Sequence, residues 1–142
     1  FDKINENFIR CSFFELCSRY LSSYYTFAIE QNNSAGRSDF EMTGIPGTDY
    51  YKDDRLAEFK YFKAKEAERM LALSDPRPED VAQVLAYAKD TKVKFPHYHV
   101  RSYIVYICAN KGWKCWEVIR DIIPIALLIV LCGANDVPCY WH

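Results

Sequence analysis

Residues 34–62 read SAGRSDFEMTGIPGTDYYKDDRLAEFKYF and contain two strand-like runs separated by a turn-rich loop. The first run, 38–43, carries Asp39, and the second, 55–62, carries Glu58 and Lys60. Side chains alternate between the faces of a strand, so Glu58 and Lys60 point the same way, roughly 6.5–7 Å apart along the backbone. The stretch therefore predicts a site to which two strands contribute two carboxylates and an ammonium group.

This set of groups fits a site for a hard divalent cation. Mg²⁺ prefers oxygen ligands and usually binds one or two carboxylates together with waters and substrate phosphate. Asp39 and Glu58 are the expected carboxylate ligands, and the backbone carbonyl of Phe59 is the expected third ligand. Such an ion generates a nucleophile from water, and Lys60 is expected to stabilise negative charge. The alternative is that Glu58 and Lys60 are solvated side chains of an ordinary strand.

Composition predicts one folded domain without a uniformly basic surface. The chain has 142 residues, half of them apolar, with a formal net charge of −1 and a pI near 6.3. This balance argues against a protein that wraps nucleic acid over its whole surface, but a local basic rim remains compatible with it. The six cysteines are spread singly, without a Cys-x-x-Cys pair. We expect reduced, mostly buried thiols and a cytoplasmic location.

The apolar periodicity predicts an α/β fold, with one helix before the motif strands in the sequence and two helices after them. The expected elements are a helix over 3–22, strands over 24–31, 38–43 and 55–62, helices over 63–73 and 78–90, and strands over 100–109 and 113–119, the last at an edge. On the first helix, Glu6 lies at the margin of an apolar stripe formed by Ile9, Phe13, Leu16, Cys17, Tyr20 and Leu21. Glu15 lies nearly opposite that stripe, towards solvent.

Two further features complete the pattern. Gln83 and Tyr87 lie four residues apart on the helix after the motif, and therefore on one helix face. The alternative is a surface glutamine beside a half-buried tyrosine. The apolar run 122–132 (IIPIALLIVLC) is too short for a membrane span, which needs about 20 residues. It is expected to be a buried helix, a partner-facing helix or an aberrant terminus.

Together these elements resemble the αβββαβ core of the restriction-endonuclease-like fold, a central mixed sheet flanked by helices. Asp39, followed on the next strand by Glu58-Phe59-Lys60, resembles the motif of the PD-(D/E)XK nucleases, and Gln83-x-x-x-Tyr87 resembles the element of their RecB-like branch. The segments GRSD (36–39), EFKY (58–61) and YICANKG (106–112) are similar to one family, found C-terminal to AAA-ATPase-like domains in bacterial proteins. The resemblance covers roughly residues 5–118.

The resemblance implies a Mg²⁺- or Mn²⁺-dependent nuclease domain over 1–119, followed by a tail of unknown role over 120–142. The expected substrate is DNA, and the expected partner is an AAA-ATPase-like domain of a longer chain; no membrane is expected. Implied catalytic residues are Asp39, Glu58, Lys60 and Gln83, with Glu6 a candidate additional metal ligand and Arg37 and Tyr87 the substrate contacts. The alternatives are a catalytically silent interaction domain that serves the ATPase, and a toxin or defence effector with the same chemistry.

Overall fold

The computed structural model describes the backbone of residues 6–33, 36–118 and 122–124, and the side chains of residues 8–29 and 39–118. Within these residues the chain forms three helices and six strands. They are α1 (Glu6–Leu21), β1 (Tyr25–Asn33), β2 (Gly36–Gly44), β3 (Asp53–Phe62), α2 (Ala64–Leu71), α3 (Pro78–Lys94), β4 (His99–Cys108), β5 (Gly112–Val118) and β6 (Ile122–Pro124). The predicted α/β order of elements is confirmed.

The six strands form one mixed sheet in the order β1-β2-β3-β4-β5-β6. Only β3 and β4 are parallel; the other neighbouring strands run antiparallel. Parallel neighbours need a long crossover, and α2 and α3 supply it between β3 and β4. These two helices cover one face of the sheet, whereas α1 packs on the other face against β1, β2 and β3.

The two faces of the sheet build two separate apolar clusters. The cluster under α2 and α3 is centred on residues that are almost fully buried: Ile104, Tyr106 and Trp116 of the sheet and Ala67 and Val84 of the helices. The cluster under α1 contains Cys17, Phe40 and Phe59. Because successive residues of a strand face opposite ways, Phe40 and Phe59 pack under α1, and their neighbours Asp39, Glu58 and Lys60 face α3.

The apolar stripe of α1 differs from the prediction. Leu16 and Tyr20 were expected in the stripe, but they are 53% and 67% exposed. The other predicted residues, Ile9, Phe13, Cys17 and Leu21, do pack towards the sheet. Arg10 and Phe14 join them there, and the prediction missed Arg10 because only apolar residues were counted. Glu15 does face solvent, where it pairs with Arg19 at 2.8 Å.

The prediction that the strand over 113–119 lies at the edge of the sheet is wrong. Ile122–Pro124 pairs with Trp116–Val118 of β5 and forms the edge itself. A proline is tolerated in an edge strand because its missing N–H costs no ladder hydrogen bond there. The rest of the apolar tail lies outside the described residues. In the part of the chain that is described, no helix is long and apolar enough to cross a bilayer.

An apolar cavity of about 640 Å³ lies on the face of the sheet that carries α1. Its walls include Ile9 and Phe13 of α1, Val105 and Ile107 of β4, and Trp113 of β5. Among the described elements, α1 packs mainly against β1, β2 and β3, and no other helix packs on this face of β4 and β5. The cavity and the carboxylates of the motif therefore lie on opposite faces of the sheet.

The packing under α2 and α3 predicts a stability difference between two positions. Ile104→Ala removes a side chain that is 0% exposed, and we expect it to lower the free energy of unfolding by about 2–5 kcal/mol. Val93→Ala, at a position on α3 that is 74% exposed, is the matched control and should change it by less than about 0.5 kcal/mol. Urea denaturation measures both, and equal effects would contradict the assignment of this face as the core.

Candidate metal centre

Asp39 and Glu58 lie side by side at the point where two strands separate. The antiparallel pairing of β2 with β3 includes Phe40 opposite Ala57 and Glu41 opposite Leu56, so Asp39 and Glu58 occupy the next positions along. Both carboxylates point to the face that α3 covers. The structure thus brings together the two acids that the sequence predicted as metal ligands.

Asp39 is held by two donors, one on each oxygen. The backbone N–H of Phe59 donates to Oδ2 at 2.9 Å, and Nη1 of Arg10 donates to Oδ1 at 3.0 Å. The Arg10 and Asp39 side chains are only 8% and 15% exposed. Hydrogen bonds from charged donors to a carboxylate are about twice as strong as neutral ones, so this carboxylate has a fixed position.

Glu58 is more deeply buried, with 3% of its surface exposed. Its Oε1 pairs with Lys60 Nζ at 3.3 Å, whereas its Oε2 is buried and accepts no hydrogen bond. Burial, and then the negative charge of Asp39, raise the pKa of Glu58 to about 7, although Lys60 acts in the opposite direction. A proton and a cation can therefore compete for this carboxylate near neutral pH.

These groups fit a hard divalent cation only if further ligands come from elsewhere. A buried carboxylate oxygen without a partner costs free energy, and a metal ion would satisfy it. Among the described residues, however, no group of three or more His, Cys, Asp or Glu side chains could hold a metal. The remaining ligands would be the Phe59 carbonyl, water or a substrate phosphate, which is the usual pattern for Mg²⁺. The side chain of Glu6 lies outside the described residues.

Gln83 and Tyr87 share one face of α3, as predicted. Gln83 Nε2 donates to the Tyr87 hydroxyl at 2.6 Å, and Tyr87 is 4% exposed. The helix itself packs against β2, β3 and β4, the strands around the carboxylate pair. The hydrogen bond fixes the rotamer of Gln83 from a buried anchor. Arg37 lies on β2 opposite Asn32, and its side chain is not among those described.

A second pair of carboxylates, Glu41 and Asp54, was not predicted from the sequence. It lies further along β2 and β3, on the same face of the sheet as Asp39 and Glu58. Asp54 of β3 is fully buried, and Thr43 Oγ1 donates to its Oδ2 at 3.3 Å. Burial, and then the charge of Glu41, raise the pKa of Asp54 to about 8. The signal was present in the sequence, because Asp54, Leu56 and Glu58 alternate along one strand and so share a face.

A buried polar network anchors the start of α3. The Tyr106 hydroxyl donates to Asp80 Oδ2, Arg77 Nε donates to the same oxygen at 2.9 Å, and the Arg77 backbone N–H donates to the Tyr106 hydroxyl at 2.9 Å. Tyr106 is the register partner of Lys60 across β3 and β4. The network therefore joins the helix that carries Gln83 to the strand beside the motif lysine.

The Glu58 pKa predicts how the stability of the metal-free domain depends on pH. Because folding raises this pKa from 4.5 to about 7, the folded state holds the proton more tightly. The contribution of Glu58 to the free energy of unfolding is therefore fully present below pH 4.5 and is lost as the pH rises through 7. Between these two values the free energy of unfolding falls by up to about 1.4 kcal/mol per pH unit.

Glu58→Gln should flatten this dependence when urea denaturation is followed from pH 4.5 to 8 in the presence of a chelator. Part of the slope should remain, because Asp54 titrates in an overlapping range. Glu66→Gln, on the outer side of α2, is the control and should keep the wild-type slope. The interpretation fails if Glu58→Gln keeps it as well.

Comparison with known proteins agrees with the family resemblance that the sequence motifs indicated. The sequence profile of a PD-(D/E)XK nuclease superfamily family matches residues 4–117. Neither curated protein sequences nor solved structures give a significant match. The matched region spans α1 to β5 and contains Asp39, Glu58, Lys60 and Gln83. The profile covers most of the chain, and the fold has the element order expected of a restriction-endonuclease-like core. The chain belongs to the PD-(D/E)XK nuclease superfamily.

Proposed function

We propose that this domain is a metal-dependent nuclease that hydrolyses phosphodiester bonds, with DNA as the substrate. The observation that carries the proposal is the pairing of Asp39 with the buried Glu58, whose Oε2 has no hydrogen-bond partner, next to Lys60. Superfamily members are typically nucleases that use divalent metal ions, and a nuclease fold implies binding to nucleic acid. The arrangement of acids and lysine supports the same chemistry.

In this proposal, Asp39 and Glu58 hold Mg²⁺ or Mn²⁺, and the Phe59 carbonyl completes the protein ligands. An ion held by these residues would act as a Lewis acid that activates water and polarises phosphoryl oxygens. Lys60 enters the site paired with Glu58, and its ammonium group stabilises the charge that develops on the phosphate. Gln83 orients the reacting groups from the helix above, and its own rotamer is fixed by Tyr87.

The substrate contacts and the larger context belong to the same proposal. Arg37 at the start of β2 contacts the nucleic acid, and Glu6 at the start of α1 is a candidate additional metal ligand. Tyr87, which was also expected to contact the substrate, is only 4% exposed and acts through its hydrogen bond with Gln83 instead. We further propose that residues 1–119 are the nuclease domain of a cytoplasmic bacterial protein of the RecB-like branch. An AAA-ATPase-like domain of the longer chain would act with it. Residues 120–142 form a tail of unknown role, of which Ile122–Pro124 adds the edge strand to the sheet of the domain.

The proposal predicts that the two motif residues on β3 are essential for cleavage. Glu58→Gln and Lys60→Ala should each lower Mg²⁺- or Mn²⁺-dependent cleavage of DNA by at least about 100-fold, since each removes a charged group from the reacting centre. Lys65→Ala, at an exposed position of α2, is the control and should retain wild-type activity. Gel assays with single- and double-stranded DNA and RNA measure the rates. Circular dichroism checks that each variant is folded.

Unchanged cleavage in both motif variants would contradict the assignment of the site. A wild-type protein that cleaves no nucleic acid with any divalent ion would instead favour a second function, a silent interaction domain that serves an AAA-type ATPase. The apolar cavity of about 640 Å³ on the opposite face of the sheet is the observation that favours this alternative. Stable binding to the ATPase part, measured by calorimetry, would then be expected.

The Gln83–Tyr87 hydrogen bond gives a finer prediction. Tyr87→Phe keeps the buried ring but removes the acceptor of the Gln83 amide, and the rotamer of Gln83 is then less restricted. We expect turnover to fall about tenfold, equivalent to about 1.4 kcal/mol, with little change in the affinity for Mn²⁺. Gln83→Ala should lower turnover at least as much. A Tyr87→Phe variant with wild-type turnover would show that this hydrogen bond only stabilises the helix.

A further inference from the structure

Arg10 lies inside the candidate metal centre, although it comes from the helix on the opposite face of the sheet. Its guanidinium donates to Asp39 Oδ1 at 3.0 Å, and the side chain is only 8% exposed. The other oxygen of Asp39 already accepts the Phe59 amide at 2.9 Å. Both oxygens of an expected metal ligand are therefore engaged by donors of the protein itself.

The charges of these groups balance without a metal ion. Asp39 and Glu58 contribute two negative charges when ionised, and Arg10 and Lys60 contribute two positive charges. Counted over these four side chains alone, with both acids ionised, an added divalent cation leaves a surplus of two positive charges in a poorly solvated site. Like charges at short range repel strongly where water is scarce, so the ion is expected to bind weakly by itself. A phosphodiester anion from the substrate would reduce that surplus.

We propose that Arg10 is a positioning residue that competes with the divalent cation for Asp39, so that the metal binds tightly only together with a phosphodiester group. This inference rests on the proposed function. Arg10 holds Asp39 in place when no metal is present, and it gives up Oδ1 when the ion and a phosphate enter together. The Nη1 donor that it releases can then bind a phosphate oxygen, which guanidinium groups recognise well.

Metal binding itself tests the proposal, without any measurement of cleavage. Calorimetric titration of Mn²⁺ into the wild-type chain is compared with titration into Arg10→Gln and Arg10→Lys. We expect Arg10→Gln to bind Mn²⁺ at least tenfold more tightly in the absence of nucleic acid, and Arg10→Lys to resemble the wild type. Arg19→Gln is the matched control on α1, because Arg19 is exposed and pairs with Glu15; it should leave the affinity unchanged.

The second arm adds a short phosphorothioate oligonucleotide, which resists cleavage. Wild-type affinity for Mn²⁺ should rise at least tenfold in its presence, and the difference between wild type and Arg10→Gln should shrink. Arg10→Gln affinity equal to or weaker than that of the wild type overturns the competition. If DNA is still cleaved in that case, the proposed function stands and only the role of Arg10 fails. Absence of both metal binding and cleavage in every variant overturns both.

A spectroscopic measurement on the wild type keeps the test valid if Arg10→Gln does not fold. The ¹⁵N resonance of the Arg10 side chain should shift when Mg²⁺ and the oligonucleotide are added together, because the guanidinium leaves Asp39. The Arg19 resonance serves as the internal reference and should stay in place. An Arg10 resonance that does not move under saturating metal and oligonucleotide overturns the proposal.

Discussion

The hydrogen bond from the Phe59 backbone amide to Asp39 is the interaction on which the candidate site depends. Along the last paired residues of β2 and β3, backbone groups bond to each other; at the next position a carboxylate takes the place of the strand partner. The hydrogen bond keeps Asp39 in register with Glu58, so that the carboxylates of two neighbouring strands lie side by side. It also satisfies an amide that would otherwise be left without a partner at the point where the strands part.

Asp39 also connects the two layers of the molecule. It lies on the face that α3 covers, but its second oxygen accepts a hydrogen bond from Arg10 of α1, which packs on the other face. The network of Asp80, Tyr106 and Arg77 anchors the start of α3 to β4, the strand that pairs with β3 beside Lys60. Helices from both layers therefore support the site: α1 contacts Asp39 directly through Arg10, and α3 is joined to β4 beside Lys60.

The elements of the fold were predictable because each follows a simple period. Alternation placed Glu58 and Lys60 on one face of their strand, and helical spacing placed Gln83 beside Tyr87. That Asp39 shares the face of Glu58 follows from the register of β2 with β3. Arg10 was not predicted, because a charged residue on an amphipathic helix is normally assigned to solvent, and only its partner on a distant strand accounts for its burial. The short edge strand β6 was also missed, since three residues carry no periodic signal and their pairing depends on β5.

Asp54 is a further residue whose face, but not its burial, could be predicted from the sequence. Its alternation with Leu56 and Glu58 indicated the correct face, but its complete burial follows from the helix that covers β3. The negative charge of Glu41, on the neighbouring strand β2, also contributes to the raised pKa of Asp54. The sequence can place such groups on a face, but the depth of burial depends on contacts between segments that are far apart in the chain.

The parallel pairing of β3 with β4 has a consequence for the order in which the site is assembled. β2 and β3 are joined by a short loop, so loop closure between them costs little entropy and their contacts form among the fastest. The pairing of β4 with β3 closes a longer loop, which contains α2 and α3, and we expect it to form later. Asp39 and Glu58 would thus approach each other while water still separates and screens their charges. We expect the helical cover, which removes that water, to follow.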